Sequence, residues 1–240
     1  MKKVFDAALP DSRWGLSDGN HVWVLVADSR EWSPWQDQCA GMLDNAERDR
    51  VDRMRNQVAR ATLVVAYALH RLFLGRFLGG EPAEVPLWRD SLGCPRVGQG
   101  LAATSLSHAG SLIAMAVGHY RPLGVDIEPA SRVEEMPGLA GNICHPAELH
   151  ELRGLAGPEQ ARALLSFWTG KEAVLKALGI GFSRGEMNEI ALPADDRNYI
   201  DQTGEMLQVK RLDRSPLWFA AVACAPLDSV HSFQLHPGSA

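Results

Sequence analysis

Two acidic residues share one face of a predicted strand. The segment GVDIEP (Gly124–Pro129) places Asp126 and Glu128 two residues apart, alternating with the apolar residues Val125 and Ile127. Side chains alternate between the faces of a strand, so both carboxylates point one way and both apolar side chains point toward a core. Neighbouring carboxylates repel each other unless a cation lies between them, and Mg²⁺ prefers such oxygen ligands. From this segment alone, a solvated strand end before Pro129 is the favoured explanation of the acids.

A third carboxylate lies on a predicted helix. In FWTGKEAVLKALG (Phe167–Gly179), Glu172 precedes Lys176 by four residues, which is the order of a helix-surface ion pair. An exposed pair of this kind contributes little to stability. Trp168 lies on the same helical stripe, so a partly buried pair beside a large apolar group is the other interpretation. Such a pair is a candidate for catalysis.

A hydroxyl and an imidazole mark a candidate phosphate-binding position. Ser107 and His108 directly precede the turn into the apolar strand predicted at 111–118. The short spacing predicts a hairpin between this strand and the strand at 123–128, with its turn near Tyr120. That hairpin would bring Ser107 and His108 to the mouth of the acid pair. The alternative is a turn serine in a local hydrogen bond beside a surface histidine.

Two long helices are predicted, one in each half of the chain. The segment Asp44–Gly80 is arginine-rich at first and apolar later, and it predicts one long helix or a broken pair. Arg60 lies where the two parts meet and could reach an anionic ligand, although most such arginines are surface residues. The second helix is predicted from Pro158 to Leu178, since Pro suits a first turn and Gly179 a C-terminal stop. Strands accompany each helix, which hints at a duplicated fold.

The composition narrows the classes of function. A net charge of −5 argues against a general nucleic-acid binder, because phosphate backbones require a basic surface. The four cysteines form no C-x-x-C pair, which favours a reducing compartment. Asp6 and Pro10 interrupt any signal-peptide core, and no apolar run approaches the roughly 20 residues of a membrane span. We therefore expect a soluble, cytoplasmic protein with no membrane partner.

In combination, these segments resemble the 4′-phosphopantetheinyl transferases. The similarity is to the larger monomeric type, which activates surfactin synthetase and other peptide, polyketide and fatty-acid synthases. The segments that carry it are SLSH (105–108), GVDIE (124–128) and FWTGKEAVLKALGIG (167–181), with weaker matches at 53–73 and 91–97. The resemblance runs from about Asp44 to Ala225. W-x-x-K-E-A-x-x-K downstream of GVDIE makes the match specific.

The resemblance implies a fold and a reaction. The fold is α+β, a pseudo-dimer of two similar halves, 1–122 and 123–240, each a small antiparallel sheet packed with a long helix. The active site lies in the cleft between them, with the coenzyme A nucleotide on the N-terminal side. The reaction transfers 4′-phosphopantetheine from coenzyme A to a serine of an apo acyl or peptidyl carrier protein and releases adenosine 3′,5′-bisphosphate. A monomer is expected.

The family's functional residues have matches in this chain. Metal and catalytic residues fall in the C-terminal half, and the residues that hold the coenzyme A phosphates come from both halves. The implied Mg²⁺ ligands are Asp126, Glu128 and Glu172; the catalytic residues are Glu172, Lys176 and Asp126; the coenzyme A ligands are Arg60, Ser107, His108 and Lys176.

The chain departs from the family at two positions. Cys94 stands where a lysine is common, so one phosphate or adenine contact is missing or is supplied by Arg96. Ala109 stands where a serine is frequent. Neither change touches the acids, so an active enzyme is predicted. The alternatives are a catalytically silent docking module for carrier proteins and an unrelated Mg²⁺-dependent phosphodiesterase.

Overall fold

The computed structural model describes most of the chain. The described residues are 1–9, 20–119, 122–180, 187–192, 198–200, 204, 206–212, 215–226 and 228–238. The α-helices among them are α1 (Lys2–Ala8), α2 (Gln36–Met42), α3 (Asn45–Asp52), α4 (Gln57–Leu78), α5 (Ala140–Ile143), α6 (Pro146–Leu152) and α7 (Pro158–Leu178). The strands are β1 (His21–Asp28), β2 (Leu87–Arg89), β3 (Pro95–Val97), β4 (Ala103–Ala109), β5 (Leu112–Gly118), β6 (Leu123–Pro129), β7 (Asn198–Ile200), β8 (Met206–Arg211), β9 (Trp218–Cys224) and β10 (Ser229–Leu235).

The predicted helix at 44–80 is a broken pair. The Asp44 side chain accepts a hydrogen bond from the backbone N–H of Glu47, which caps α3. The Asn56 side chain caps α4 in the same way through Ala59. α4 then ends at Gly79, which adopts the left-handed conformation (φ 71°) that favours glycine. Because both helices carry their own caps, the arginine-rich first part and the apolar second part are separate elements.

Each half packs one long helix on one four-stranded sheet. The first sheet has the order β10-β1-β5-β4 and packs on α4 through Leu25, Met115 and their neighbours. The second has the order β6-β9-β8-β7 and packs on α7. The opposite faces of the two sheets meet in a third core that includes Val24, Ala116 and Val125. This helix–sheet–sheet–helix layering confirms the predicted fold class.

α7 is anchored by a buried ion pair. The Lys171 ammonium group is fully buried and lies 2.5 Å from an Oε2 oxygen of Glu148 on α6. It also donates hydrogen bonds to the backbone carbonyls of Ile143 and Met187. Glu148 in turn accepts a hydrogen bond from the backbone N–H of Leu192. These bonds hold the residue next to Glu172 against three separate segments.

The predicted hairpin between 111–118 and 123–128 is wrong. β5 pairs with β4 and β1, whereas β6 pairs with β9 in the other sheet. The connecting residues therefore carry the chain from one layer to the next, and the turn predicted near Tyr120 lies outside the described residues. Burial on both faces explains the error, because an apolar strand has no sequence signal that selects its partner.

The last strand crosses back to the first sheet. β10 pairs in parallel with β1, in a register that joins Ser229 to His21 and Leu235 to Ala27. This adds one parallel pairing to an otherwise antiparallel sheet. The division of the chain between residues 122 and 123 stays a prediction. That division did not include a strand of the C-terminal half, β10, in the sheet of the N-terminal half.

α4 qualifies as a membrane span by length and composition, which the sequence analysis missed. Its 22 residues have a mean hydropathy of 1.3 in the most apolar window, but 83% of that window is buried inside the protein. Leu69 and Phe73 are among its fully buried residues. The helix is apolar all round because it forms the centre of the first core.

Candidate active site

A glycine on β6 sets the distance between the second sheet and α7. A Cβ atom added to Gly124 would lie 2.0 Å from the carbonyl oxygen of Ala173 and 2.5 Å from the backbone nitrogen of Ala177. Only glycine allows this approach, because real Cβ atoms do not come within 3.0 Å of such atoms. Asp126 and Glu128 share the face of Gly124, so the close packing presents them to Glu172 and Lys176 on α7.

Asp126 is the centre of a three-residue polar contact. Its Oδ1 oxygen accepts hydrogen bonds from Ser107 Oγ at 2.7 Å and from Lys176 Nζ at 2.7 Å. Lys176 Nζ also donates to Ser107 Oγ at 2.8 Å. Asp126 is 4% exposed, so these bonds compensate for the burial of its charge. Three elements, β4, β6 and α7, therefore meet at one carboxylate.

Glu128 is held by a different pair of side chains. Its Oε1 oxygen accepts a hydrogen bond from the indole Nε1 of Trp168 at 3.2 Å and forms an ion pair with Arg132. The Arg132 guanidinium also stacks over the Trp168 ring, 4.3 Å from its centroid. Burial and the charge of Asp126 raise the pKa of Glu128 to about 7. The Glu128 carboxyl group is thus fixed in place, and it gains or loses its proton near neutral pH.

Glu172 is the least compensated acid of the three. It is 8% exposed, and its Oε1 oxygen is buried without a hydrogen-bond partner among the described residues. Burial raises the pKa of Glu172 to about 7, with further contributions from the charges of Asp126 and Glu128. A carboxyl group with a pKa near neutral pH suits proton transfer.

The free oxygens of the cluster fit a hard divalent cation. Asp126 Oδ2, like Glu172 Oε1, is buried without a hydrogen-bond partner among the described residues. Each is a carboxylate oxygen, the donor that Mg²⁺ prefers, and each costs free energy when left unpaired. Within the described part of the chain, no three acidic, histidine or cysteine side chains already stand at the spacing of an assembled metal site. Protein cations occupy the other oxygens of Asp126 and Glu128 instead.

A cavity of about 210 Å³ opens beside Glu172 and Lys176. Cys94 and two arginines, Arg89 and Arg96, line it from the β2–β3 hairpin. Arg96 forms an ion pair with Asp90 at 2.5 Å, so its charge is already engaged. The Arg89 guanidinium stacks over Tyr67 and donates to the Gly93 carbonyl, but its Nη2 is buried without a partner among the described residues. Arg89 therefore lines the cavity and has an unused donor among the described residues.

His108 follows Ser107 on β4, so its side chain points to the opposite face of the strand, and its role in coenzyme A binding stays a prediction. The outer edge of His108 is exposed to solvent. Partial burial of its ring lowers the pKa of His108, and the charges of Lys176 and Arg89 lower it further. The imidazole of His108 is therefore favoured in its neutral form.

Arg60 is not brought to the cluster. Its guanidinium pairs with Asp52 on the surface and lines a separate cavity of about 390 Å³ between α2, α3 and α4. Arg48 lines the same cavity. A role for Arg60 in coenzyme A binding stays a prediction.

Sequence reasoning missed two arginines that contact or approach the acids. Arg132 follows Glu128 by four residues, a spacing that charge patterning detects only if the strand passes directly into a helical turn. Arg89 stands in a segment that reads as a loop in the sequence, and its place in the cavity that Glu172 also lines depends on the pairing of β2 with β3. Local hydrophobic periodicity predicts neither the ion pair between Arg132 and Glu128 nor the pairing of β2 with β3.

Comparisons with known proteins give a consistent result. Residues 122–221 match the model of the 4′-phosphopantetheinyl transferase superfamily. The chain is 34% identical over 181 residues to the 4′-phosphopantetheinyl transferase HetI of Nostoc sp., which covers 74% of this chain and 76% of that protein. It is 30% identical over 157 residues to a phosphopantetheinyl transferase of Thraustochytrium sp., covering 60% of this chain and 54% of that protein.

Proposed function

Because the chain belongs to the 4′-phosphopantetheinyl transferase superfamily and is a transferase, we propose that it moves 4′-phosphopantetheine from coenzyme A to a serine of an apo carrier protein. The second product is adenosine 3′,5′-bisphosphate, and the reaction depends on Mg²⁺. The observation that carries this proposal is the buried cluster of Asp126, Glu128 and Glu172 with its unpaired oxygens, next to Lys176. A pyrophosphate is a poor electrophile until its negative charge is neutralised. This cluster offers two sources of positive charge, the Lys176 ammonium group and a divalent metal ion that the carboxylate oxygens would hold.

Three carboxylates would hold the metal, two of them through oxygens that have no partner among the described residues. Asp126 Oδ2 and Glu172 Oε1 are such oxygens, and Glu128 contributes the carboxylate fixed by Arg132. Bound Mg²⁺ supplies charge neutralisation at the pyrophosphate and helps to orient it.

Glu172 is the proposed general base. The attacking serine hydroxyl of the carrier must lose a proton, and a carboxylate with a pKa near neutral pH accepts it most efficiently. Burial of the carboxyl group is the main cause of this raised pKa of Glu172. Lys176 stabilises the charge on the reacting phosphate from the other side of the cluster.

The phosphates of coenzyme A are proposed to lie along the cationic side of the cavity. Ser107 and His108 are the neutral donors on β4, and Lys176 is the nearest charge. Arg89 is proposed to compensate for Cys94, since Arg96 is engaged by Asp90 whereas Arg89 retains an unused donor. Hydrogen bonds to a charged group contribute about 1.5–3 kcal/mol each, enough for one arginine to affect affinity measurably.

The type within the family, the oligomeric state, the carrier proteins and the location are also proposals. The fold of two similar layers supports the larger monomeric type of the family, acting as a monomer on acyl or peptidyl carriers of fatty-acid, polyketide or nonribosomal peptide synthesis. We also propose a cytoplasmic location and no nucleic-acid or membrane partner.

Intact mass spectrometry tests the transfer directly. An apo carrier protein is incubated with the enzyme, coenzyme A and Mg²⁺, and the carrier should gain the mass of phosphopantetheine. The gain should require Mg²⁺ and should disappear with Glu172→Gln, which removes the base and one ligand but keeps the side-chain size. A carrier that binds without gaining mass would identify a docking module. Release of free phosphopantetheine without any carrier would identify a phosphodiesterase.

A further inference from the structure

Arg132 holds Glu128 from outside the cavity. It lies in the 3₁₀ turns that follow β6, and its Nη1 atom pairs with the Oε1 oxygen that also accepts the Trp168 indole N–H. Both partners of the ion pair are largely buried, with the Arg132 side chain 24% and the Glu128 side chain 13% exposed. Arg132 is not among the described residues that line the cavity beside Lys176. It therefore acts on Glu128 rather than on a ligand in that cavity.

The guanidinium is itself fixed from two sides. The Trp168 ring lies under it at 4.3 Å, and its Nε lies 3.8 Å from a carboxylate oxygen of Glu135. A planar guanidinium stacked on an indole has little freedom to rotate. Since the same indole also donates to Glu128, the three side chains form a closed triangle. In this triangle both donors bind the same Glu128 oxygen, Oε1.

We propose that Arg132 is a positioning residue that orients Glu128 for the metal and thereby sets the metal affinity of the three-acid cluster. This inference rests on the proposed function, because it assumes that the cluster binds a divalent cation. Residues that hydrogen-bond to metal ligands fix the ligand orientation, and their loss typically costs about 10–100-fold in metal affinity. Arg132 performs this role with Trp168 as its support.

The sign of the effect separates orientation from simple charge. By Coulomb attraction alone, removal of a positive charge beside a cation site strengthens cation binding. If Arg132 instead orients Glu128, its removal weakens binding, because the carboxylate gains rotational freedom that the metal must then restrict. The two explanations thus predict opposite changes in the dissociation constant.

The test is a titration of the purified full-length protein with Mn²⁺, in which electron paramagnetic resonance measures the free ion. Arg132→Met, which keeps the apolar stem over Trp168, should raise the Kd for Mn²⁺ about 10–100-fold. Arg132→Lys restores a donor and a charge and should recover part of the loss. Trp168→Phe keeps the ring and removes the second donor, so it should weaken binding in the same direction. Arg162→Met is the matched control, because Arg162 on α7 also stacks on an aromatic ring, that of Phe219 on β9.

Each outcome has a definite meaning. Weaker Mn²⁺ binding in Arg132→Met, with the control unchanged and thermal unfolding of the metal-free proteins similar, supports the positioning role. Unchanged or tighter binding in Arg132→Met overturns it, while a wild-type protein that binds the ion leaves the proposed function intact. Absence of binding in the wild type overturns both the inference and the metal part of the proposed function.

Discussion

Gly124→Ala is the substitution that tests most directly how the fold builds the site. The added Cβ would lie 2.0 Å from the Ala173 carbonyl oxygen and 2.5 Å from the Ala177 backbone nitrogen. Both are main-chain atoms of a 21-residue helix, so no side chain can rotate away. α7 must instead retreat by about 1 Å or more before the shorter contact reaches 3.0 Å. The same movement carries Glu172 and Lys176 away from Asp126.

The substitution should affect activity as well as stability. Overpacking of a core typically costs roughly 1–3 kcal/mol. For a chain of this size, that corresponds to a fall in Tm of roughly 2–12 °C. A displacement of about 1 Å at reacting groups can cost about 100-fold in rate. We therefore expect Gly124→Ala to remain folded and to lose about 100-fold in kcat/KM for carrier modification.

The measurement compares initial rates of carrier modification with thermal unfolding of the same samples. Gly141→Ala on α5 is the matched control, since an added Cβ there meets nothing within 4 Å. It should leave both quantities near their wild-type values. A Gly124→Ala protein with wild-type rate and Tm would refute the reasoning, because it would mean that α7 does not need its close approach to β6.

Three further predictions follow from the ion pairs and the raised pKa values. Arg89→Met should raise KM for coenzyme A roughly 10–100-fold in steady-state assays, whereas Arg30→Met, at an exposed ion pair with Asp28, should change it less than about twofold. In the metal-free protein, Glu172 keeps its proton up to about pH 7 and the unfolded chain loses it near 4.5, so stability should fall as pH rises across this window. Mg²⁺ should then raise Tm more at pH 8 than at pH 6, because at pH 8 Glu172 has already lost the proton that the metal would have to displace. Lys171→Met should cost about 3–5 kcal/mol in urea unfolding by leaving Glu148 buried without its cation, and adding Glu148→Leu should recover part of that loss.

Local patterns predicted the elements that carry the acids. The helix predicted from Pro158 to Leu178 has these bounds in the structure, because proline and glycine mark both of its ends. β6 was predicted from strict alternation, and this alternation correctly placed Asp126 and Glu128 on one face. Ser107 was correctly expected near Asp126, although the predicted hairpin that led to this expectation is wrong. Its neighbour in space is a strand of the other sheet.

Contacts between layers could not be predicted in this way. Hydrophobic periodicity fixes which face of a strand is buried but not which strand it pairs with, so the β1–β10 pairing was missed. Arg60 shows the same limit, because its position on a helix did not determine which cavity its side chain lines, and its role in coenzyme A binding stays a prediction. Arg89 lies in a segment that shows no clear hydrophobic periodicity. The short hairpin of β2 and β3 nevertheless brings it to the cavity beside Glu172 and Lys176.

The charge balance of the cluster explains why its geometry depends on residues outside the motifs. Three buried carboxylates meet two cations, Lys176 and Arg132, so one negative charge remains in excess. In a fold selected only for stability, such an excess would be removed, because buried unpaired charge is costly. Here it is retained next to a cavity, where burial, and after it the charges of the neighbouring acids, raise the pKa values of Glu128 and Glu172. A divalent cation would reverse the sign of the excess and favour an anionic ligand at Lys176, so binding of metal and of coenzyme A should be mutually reinforcing.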